Sequence, residues 1–494
     1  FGKKPIKSPY FVNKADFVAC HNPSYIDKYD MISDVKPGGI FLLNCSWNSE
    51  EMEARLPAAM KRTIVKNNIS FYTIDATHLA KGLGLGNRTN TILQAAFFKL
   101  AKVIPVEDSV KYMKDPATKS YSKKGEAIVK MNHNAIDTGV KEVKKVKIPE
   151  AWAKAKDVDA VKQAIGGRPE IRDFIDNVLT PVNAQQGDKL PVSTFLKDAD
   201  GTVPLGSSAY EKRGIAVDVP EWQPENCIQC NFCSYVCPHA VIRPVVMNEE
   251  EAANAPEGMK MKPATGLPGY QFAIAVSTLD CTGCGSCSVV CPGMKGNKAL
   301  VMKPIDTQLQ GQKSFFYGYE LPEKPEVNEK FKTTTVKGSQ FIQPLLEFSG
   351  ACAGCGEPPY AKLATQLFGD RMFIANATGC TSIWGGSSPS TPYTVNKRGH
   401  GPAWANSLFE DNAEYGYGML LGITARRNRL ADLMKKFADS DIPAEWGLKE
   451  AAQEWLDGKD DASASKAAAV KVVPALEKAI LECGNCGCDF DSLY

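Results

Sequence analysis

Histidine is scarce in this chain. The 494 residues hold only five, His21, His78, His133, His239 and His400. No two of them stand at a ligand spacing such as H-E-x-x-H, so no histidine metal site is expected. Long apolar runs are missing too. No stretch approaches the roughly 20 residues that a bilayer span needs, and no membrane segment is expected. Neither charge is in surplus. Lys and Arg number 58 against 56 Asp and Glu, a formal net charge of +2, so no nucleic-acid footprint is indicated. Residues Phe1 to Tyr10 lack the layout of a signal peptide. Gly385-Gly386-Ser387-Ser388 lacks the strand–turn–helix context of a nucleophile elbow, which argues against a serine hydrolase. Trp384 reads as core or cofactor wall rather than as a catalyst.

What remains is a soluble-type balance, 44% hydrophobic and 23% charged, in a chain long enough for three or four domains. Early on, short apolar runs at Phe17–Cys20, Gly39–Cys45 and Ser70–Asp75 alternate with helical patterns, which predicts an α/β layer with a mainly parallel sheet. Asn48 and Glu51 form a capping pair, and Pro57 splits or kinks the helix that follows. Gly82, Gly84 and Gly86 form a plain turn leading into a helix from about Arg88 to Val103. The lysine-rich stretch from Glu107 to Asp157 reads as a solvated helical surface. Arg371–Ala377 reads as a buried strand, and residues 456–480 as a surface helix.

Cysteine is the outlier, with 16 residues mostly in C-x-x-C groups. Without a secretory signal, that spacing favours metal or cluster ligation in a reducing compartment. The first ladder is Cys227-x-x-Cys230-x-x-Cys233-x-x-x-Cys237-Pro238. The second is Cys281-x-x-Cys284-x-x-Cys287-x-x-x-Cys291-Pro292. Both match the bacterial two-cluster ferredoxin run, in which the fourth cysteine ligates the other cluster. One 4Fe–4S cluster is therefore expected on Cys227, Cys230, Cys233 and Cys291, and another on Cys281, Cys284, Cys287 and Cys237. Each fourth cysteine is expected to open a helix. Zinc prefers two well-separated C-x-x-C pairs and fits this spacing poorly. His239, behind Cys237-Pro238, reads as a loop residue beside a cluster. The insert from Ile242 to Asp280 is longer than a minimal ferredoxin needs.

A third group, Cys352-Ala353-Gly354-Cys355-Gly356-Glu357, sits in a glycine-rich loop. Asn376-Ala377-Thr378-Gly379-Cys380-Thr381-Ser382-Ile383-Trp384 follows a strand. With these segments the sequence resembles the pyruvate:ferredoxin oxidoreductases, thiamine-diphosphate enzymes of anaerobic metabolism. Ala351–Pro358, Ala375–Gly386 and the two ladders carry the resemblance most specifically. Pro9-Tyr10, Ala19-Cys20-His21-Asn22-Pro23 and Gly84–Leu100 add to it.

The resemblance implies oxidative decarboxylation of pyruvate with coenzyme A to acetyl-CoA and carbon dioxide. Electrons then leave through three 4Fe–4S clusters to ferredoxin or flavodoxin. It also implies thiamine diphosphate with Mg, and a homodimer. The cluster beside thiamine takes Cys352, Cys355, Cys380 and a fourth cysteine. Cys483, Cys486 and Cys488 lie outside the family's ligand pattern and are read as non-ligands. Glu357 matches a thiamine contact, and Cys380 is near that cofactor. Asn90 and Asn132, both read as standing at helix starts, match coenzyme A contacts.

The implied architecture is α/β multidomain. A middle, coenzyme A-associated parallel-sheet α/β domain covers 1–167, and a small connector 168–208. A ferredoxin-like α+β domain with two clusters covers 209–325, and an incomplete thiamine-diphosphate-binding α/β domain 326–494. The family's pyruvate-binding domain has no counterpart here, and Gly-Asp-Gly occurs nowhere. The chain thus reads as partial and unable to turn over alone. The competing reading is a stand-alone iron–sulfur electron-transfer subunit of another 2-oxoacid oxidoreductase complex. The expected setting is oxygen-poor, either cytoplasm or the matrix of a hydrogenosome-type organelle.

Overall fold

The structure, a computed structural model, describes residues 5, 12–157, 168–387 and 390–483. Pro9-Tyr10, Ser388, Cys486 and Cys488 lie outside the described residues. The chain divides into two compact units, one of Phe1–Met372 with Ile383–Pro402 and one of Phe373–Ser382 with Ala403–Tyr494.

The first unit opens with a sheet ordered β1 (Ala15–Cys20), β2 (Val35–Asn44), β3 (Ser70–Ile74) and β4 (Lys144–Lys145). The first three strands run parallel, and the last is antiparallel to β3. Phe41, Leu42 and Leu43 are consecutive and all buried, as a parallel strand covered on both faces requires. Phe41 and Leu43 join Met52, Met60 and Ile64 of helices α1 (Ser49–Arg55) and α2 (Ala58–Lys66) in one core. Leu42 faces the other way, into a core with Ile92, Leu93 and Ala96.

Asn48 and Glu51 make the reciprocal capping box, and Pro57 separates α1 from α2. A short helix not expected from the sequence, α3 (Ala76–Gly82), follows β3, capped by the Asp75 side chain on the His78 amide. Then come α4 (Asn90–Ala101), α5 (Val106–Tyr121) and α6 (Glu126–Lys141). The lysine-rich stretch is thus two helices. Only part of it is solvated surface, because α6 buries Asn132, Ala135, Ile136 and Gly139. Gly139 admits no side chain: a Cβ there would lie 2.3 Å from the Ile92 carbonyl oxygen of α4.

The segment at 168–208 winds in short helical turns around Ile171, Ile175 and Leu179. Beyond it, β5 (Asp218–Trp222) pairs antiparallel with β9 (Leu300–Pro304). Between them, β6 (Ile242–Met247), β7 (Lys262–Pro263) and β8 (Gln271–Val276) form a three-stranded sheet in the order β6-β8-β7. The insert between the ladders is therefore this small sheet, and its strands supply much of the local core.

The second unit pairs β10 (Phe373–Ala377) with β11 (Ala403–Ser407) in parallel. β10 is not the buried strand that its apolar run suggested: Phe373 is 54% exposed, since among the described residues β11 is its sole ladder partner. The helix Asn412–Asp439 leads to the helices Leu448–Gly458 and Ala462–Cys483. Residues 456–480 are not simply surface, because Ala468, Val472, Leu476 and Ala479 are buried against the two preceding helices. Small alanines every three or four residues let those helices approach closely. No helix among the described residues is long and apolar enough to cross a membrane.

Candidate iron–sulfur centres

Each ladder is a tight loop running into a short helix. In the first, Gln229 and Asn231 have φ of 59° and 62°. In the second, Gly283 and Gly285 have φ of 69° and 77°. These are the same two offsets from the first cysteine, so both loops coil identically through the left-handed region. The third cysteine of each ladder, Cys233 or Cys287, lies inside a helix, Phe232–Tyr235 or Ser286–Val290. The fourth cysteine follows the helix rather than opening it. Cys291 caps Ser286–Val290 in extended geometry, and Cys237 comes one residue after the cap of Phe232–Tyr235. The physical reason is Pro238 and Pro292, which disfavour helical backbone in the residue before them.

Two cavities result. One is lined by Cys227, Cys230, Cys233 and Cys291 together with Ile228, Asn231 and Leu300. The other is lined by Cys237, Cys281, Cys284 and Cys287 together with His239, Thr282 and Met302. Each cavity thus gathers three thiols from one ladder and the last thiol of the other. Among the described residues no three His, Cys, Asp or Glu side chains converge to hold a single metal ion; the thiols ring wider spaces.

The donor chemistry fits an iron–sulfur group. Backbone amides of Gln229, Gly283 and Ala299 donate to the Sγ atoms of Cys227 (3.4 Å), Cys281 (3.4 Å) and Cys291 (3.3 Å), the kind of contact that tunes such groups. Without iron, Cys230, Cys233, Cys281 and Cys287 resist ionisation. Burial pushes Cys281 up to about 12, and burial followed by repulsion from neighbouring cysteines pushes Cys233 and Cys287 up further. A cationic iron core would reverse that preference and hold all eight as thiolates. Asn231 Oδ1 and Thr282 Oγ1 are buried beside the cavities without a hydrogen-bond partner among the described residues.

Anchors around the loops differ. Gln229 donates to the Pro263 carbonyl (2.8 Å) and accepts from the Thr265 amide (2.8 Å). Asn231 donates to the Lys337 carbonyl (3.0 Å). Gly283 and Gly285 carry no such ties. Under the first ladder lies Lys362, 1% exposed. Its ammonium donates to the carbonyls of Ser234, Tyr235 (3.1 Å) and Cys237 (3.2 Å). Burial pulls it down to about 8, while Cys237 and Cys233 push it back up.

The third loop abuts the second cavity. A Cβ on Gly354, between Cys352 and Cys355, would lie 3.5 Å from Cys284 Cβ. His239 Nδ1 donates to the Ser349 carbonyl (3.0 Å) at the start of that loop. Cys352 is exposed and Cys355 half-buried. Glu357 is exposed and occupies the N-cap of the helix Pro358–Phe368, without a side-chain cap bond. Cys380 is exposed and begins a helical turn directly behind β10 in the second unit. Asn90 is exposed as the first residue of α4. Asn132 does not stand at a helix start: it lies inside α6, where its side-chain amide donates to the Ile128 carbonyl (2.8 Å).

Comparison with known proteins agrees with these loops. The pyruvate ferredoxin/flavodoxin oxidoreductase family model matches residues 1–142, and a 4Fe-4S dicluster domain matches 226–294. A pyruvate-ferredoxin oxidoreductase insertion domain matches 426–480, and a domain of unknown function matches 163–216. The pyruvate:ferredoxin oxidoreductase of Moorella thermoacetica is 54% identical over 94% of this chain and 39% of its own length. The chain is thus similar to part of the pyruvate:ferredoxin/flavodoxin oxidoreductases. The pyruvate-flavodoxin oxidoreductase of Enterobacter agglomerans is 51% identical over 96% of this chain and 40% of its own. A pyruvate dehydrogenase [NADP(+)] of Cryptosporidium parvum is 46% identical over 90% of this chain and 24% of its own. The chain spans about two fifths of the length of the first two relatives. The insertion domain was missed in the sequence. It coincides with the three packed helices of the second unit, and its alanine spacing was the available signal.

Proposed function

We propose that this chain carries the electron-transfer part of an enzyme that oxidatively decarboxylates pyruvate with coenzyme A and passes the electrons to ferredoxin or flavodoxin. The observation that carries this reading is the crossing of thiols between the ladders, with the Cys352 loop set against the second cavity. Two 4Fe–4S clusters would be held by Cys227, Cys230, Cys233 and Cys291, and by Cys237, Cys281, Cys284 and Cys287. Cys352, Cys355 and Cys380 would hold a third, with one further ligand. When bound, such clusters accept and release single electrons at potentials set by their surroundings.

The chain's own residues supply the frame. The positive-φ positions bend the loops so that backbone amides point at sulfur, and the prolines turn each fourth cysteine toward the neighbouring cavity. Buried Leu300 and half-buried Met302 give the two cavities apolar wall beside the thiols. The closeness of Gly354 to Cys284 favours an order in which electrons enter from the Cys352 loop, cross the second cavity and leave by the first. Glu357 and Cys380 stand on the thiamine-diphosphate and Mg side of the reading. Asn90 and Asn132 are its coenzyme A side, although the Asn132 amide N–H is already engaged within α6. A homodimer in an oxygen-poor cytoplasm completes the proposal.

The test is iron and acid-labile sulfide on anaerobically prepared protein, with low-temperature EPR after dithionite. About eight irons with coupled signals are expected from the two ladders, and about twelve if the third site fills as well. One or two irons per chain would sink the reading.

A further inference from the structure

Three enclosed cations lie close to the ladders, Lys362 fully buried and Lys212 and Arg243 partly so, and they differ in what answers them. Lys212 pairs with Asp280 at 2.7 Å, and Arg243 pairs with Glu347. Lys362 contacts no carboxylate among the described residues. Its three N–H bonds go to the carbonyls of Ser234, Tyr235 and Cys237, which uses every donor it has. A buried ammonium bonded only to neutral groups holds its charge at a cost that an anion normally offsets.

The anion can be located. The carbonyls belong to the stretch that joins Cys233, on one cavity, to Cys237, on the other. Loaded clusters with their thiolates would bring negative charge to both sides of this stretch, and each reduction would add one more unit. The position of Lys362 does not depend on that charge. Its helix, Pro358–Phe368, is tied by Thr365 Oγ1, which accepts from the Leu345 amide (3.2 Å), and by Gln366, which donates to the carbonyls of Ser339 (3.0 Å) and Ile342 (2.9 Å).

We propose that Lys362 is a shared buried counter-charge for the two ladder clusters, raising their reduction potentials and most strongly that of the cluster held by Cys237. The proposal rests on the cluster reading above. It makes Lys362 a positioning residue for charge rather than a ligand, and it is placed by the helix that starts directly behind the Cys352 loop.

The experiment is an EPR-monitored redox titration of the full chain, reconstituted anaerobically with iron and sulfide. The variants are Lys362→Met, Lys362→Gln, which keeps donors without charge, and Lys362→Arg. With iron content at the wild-type level, Lys362→Met and Lys362→Gln should disfavour one-electron reduction of at least one cluster tenfold or more, a downward shift of about 59 mV. Lys362→Arg should shift less. Unchanged potentials in the neutral variants at full iron would overturn the proposal and leave the cluster reading intact. If both neutral variants failed to bind iron while Lys362→Arg did, the residue would serve assembly and the proposal would fall. Wild-type protein without a 4Fe–4S signal would overturn the cluster reading itself, and the proposal with it.

Discussion

Cysteines that look equivalent in the chain have three different environments. Those of the ladders line a cavity, Cys352 is exposed, and Cys20 and Cys45 are buried in the core between the first sheet and the helices α1 and α2. Burial, the leading cause, pushes both of the last pair up to about 11, so they remain thiols at neutral pH and gain reactivity only as pH climbs toward that value. In native protein at pH 8, Cys20 and Cys45 should stay unlabelled by iodoacetamide, and they should react once the chain is unfolded. Peptide mapping checks this. The crossing of thiols makes a sharper statement. Cys291→Ser should empty the cavity of Cys227, Cys230 and Cys233 and spare the one beside it, lowering iron by about four per chain. Loss of the other signal instead, followed by EPR, would put Cys291 on the wrong cavity. The ladders could be read from spacing alone, because ligand reach is a local property. Lys362 could not: its partners lie 125 to 128 residues away in the chain, and nothing near Lys362 in sequence hints at them.

Elements were readable where local chemistry decides. The Asn48 capping box and the break at Pro57 depend on neighbours within three residues, and both are present as expected. Asn48→Ala should cost about 1 kcal/mol, by loss of the bond to the Glu51 amide. Gly139→Ala should cost about 1–3 kcal/mol, since α4 and α6 must separate to admit a methyl group. Urea denaturation of each variant measures both, and Gly139→Ala is expected to be the worse. Readings failed where partners decide. β10 has the composition of a core strand but only one paired neighbour among the described residues. The alanine-rich helix near the C-terminus looks like surface until its stripe is seen packed. The fourth cysteines follow their helices instead of opening new ones because the proline after each disfavours helical backbone in the residue before it, an effect that spacing rules do not carry.

At the scale of the whole molecule, the α/β layer was predictable from alternating strand and helix patterns, because a sheet covered on both faces demands continuous apolar strands. The division into two compact units was not, since β10 and the turn at Cys380 leave the first unit's sequence range and join residues far downstream. The functional split is also a matter of scale. If the chain carries only the electron-transfer part, as proposed above, then supplied with pyruvate, coenzyme A and ferredoxin it should form no detectable acetyl-CoA. The same preparation reduced by dithionite should still pass electrons to ferredoxin or flavodoxin, followed by absorbance. Acetyl-CoA formation by the chain alone would defeat this division of labour.

The matched left-handed offsets carry different costs in the two loops. Glycine takes that backbone almost freely, so the curve at Gly283 and Gly285 needs no help from the rest of the fold. Gln229 and Asn231 hold the same curve against a side-chain penalty, and their amides tether the loop to residues 263, 265 and 337. The second ladder can keep its shape on local backbone alone, whereas the first depends on segments far along the chain.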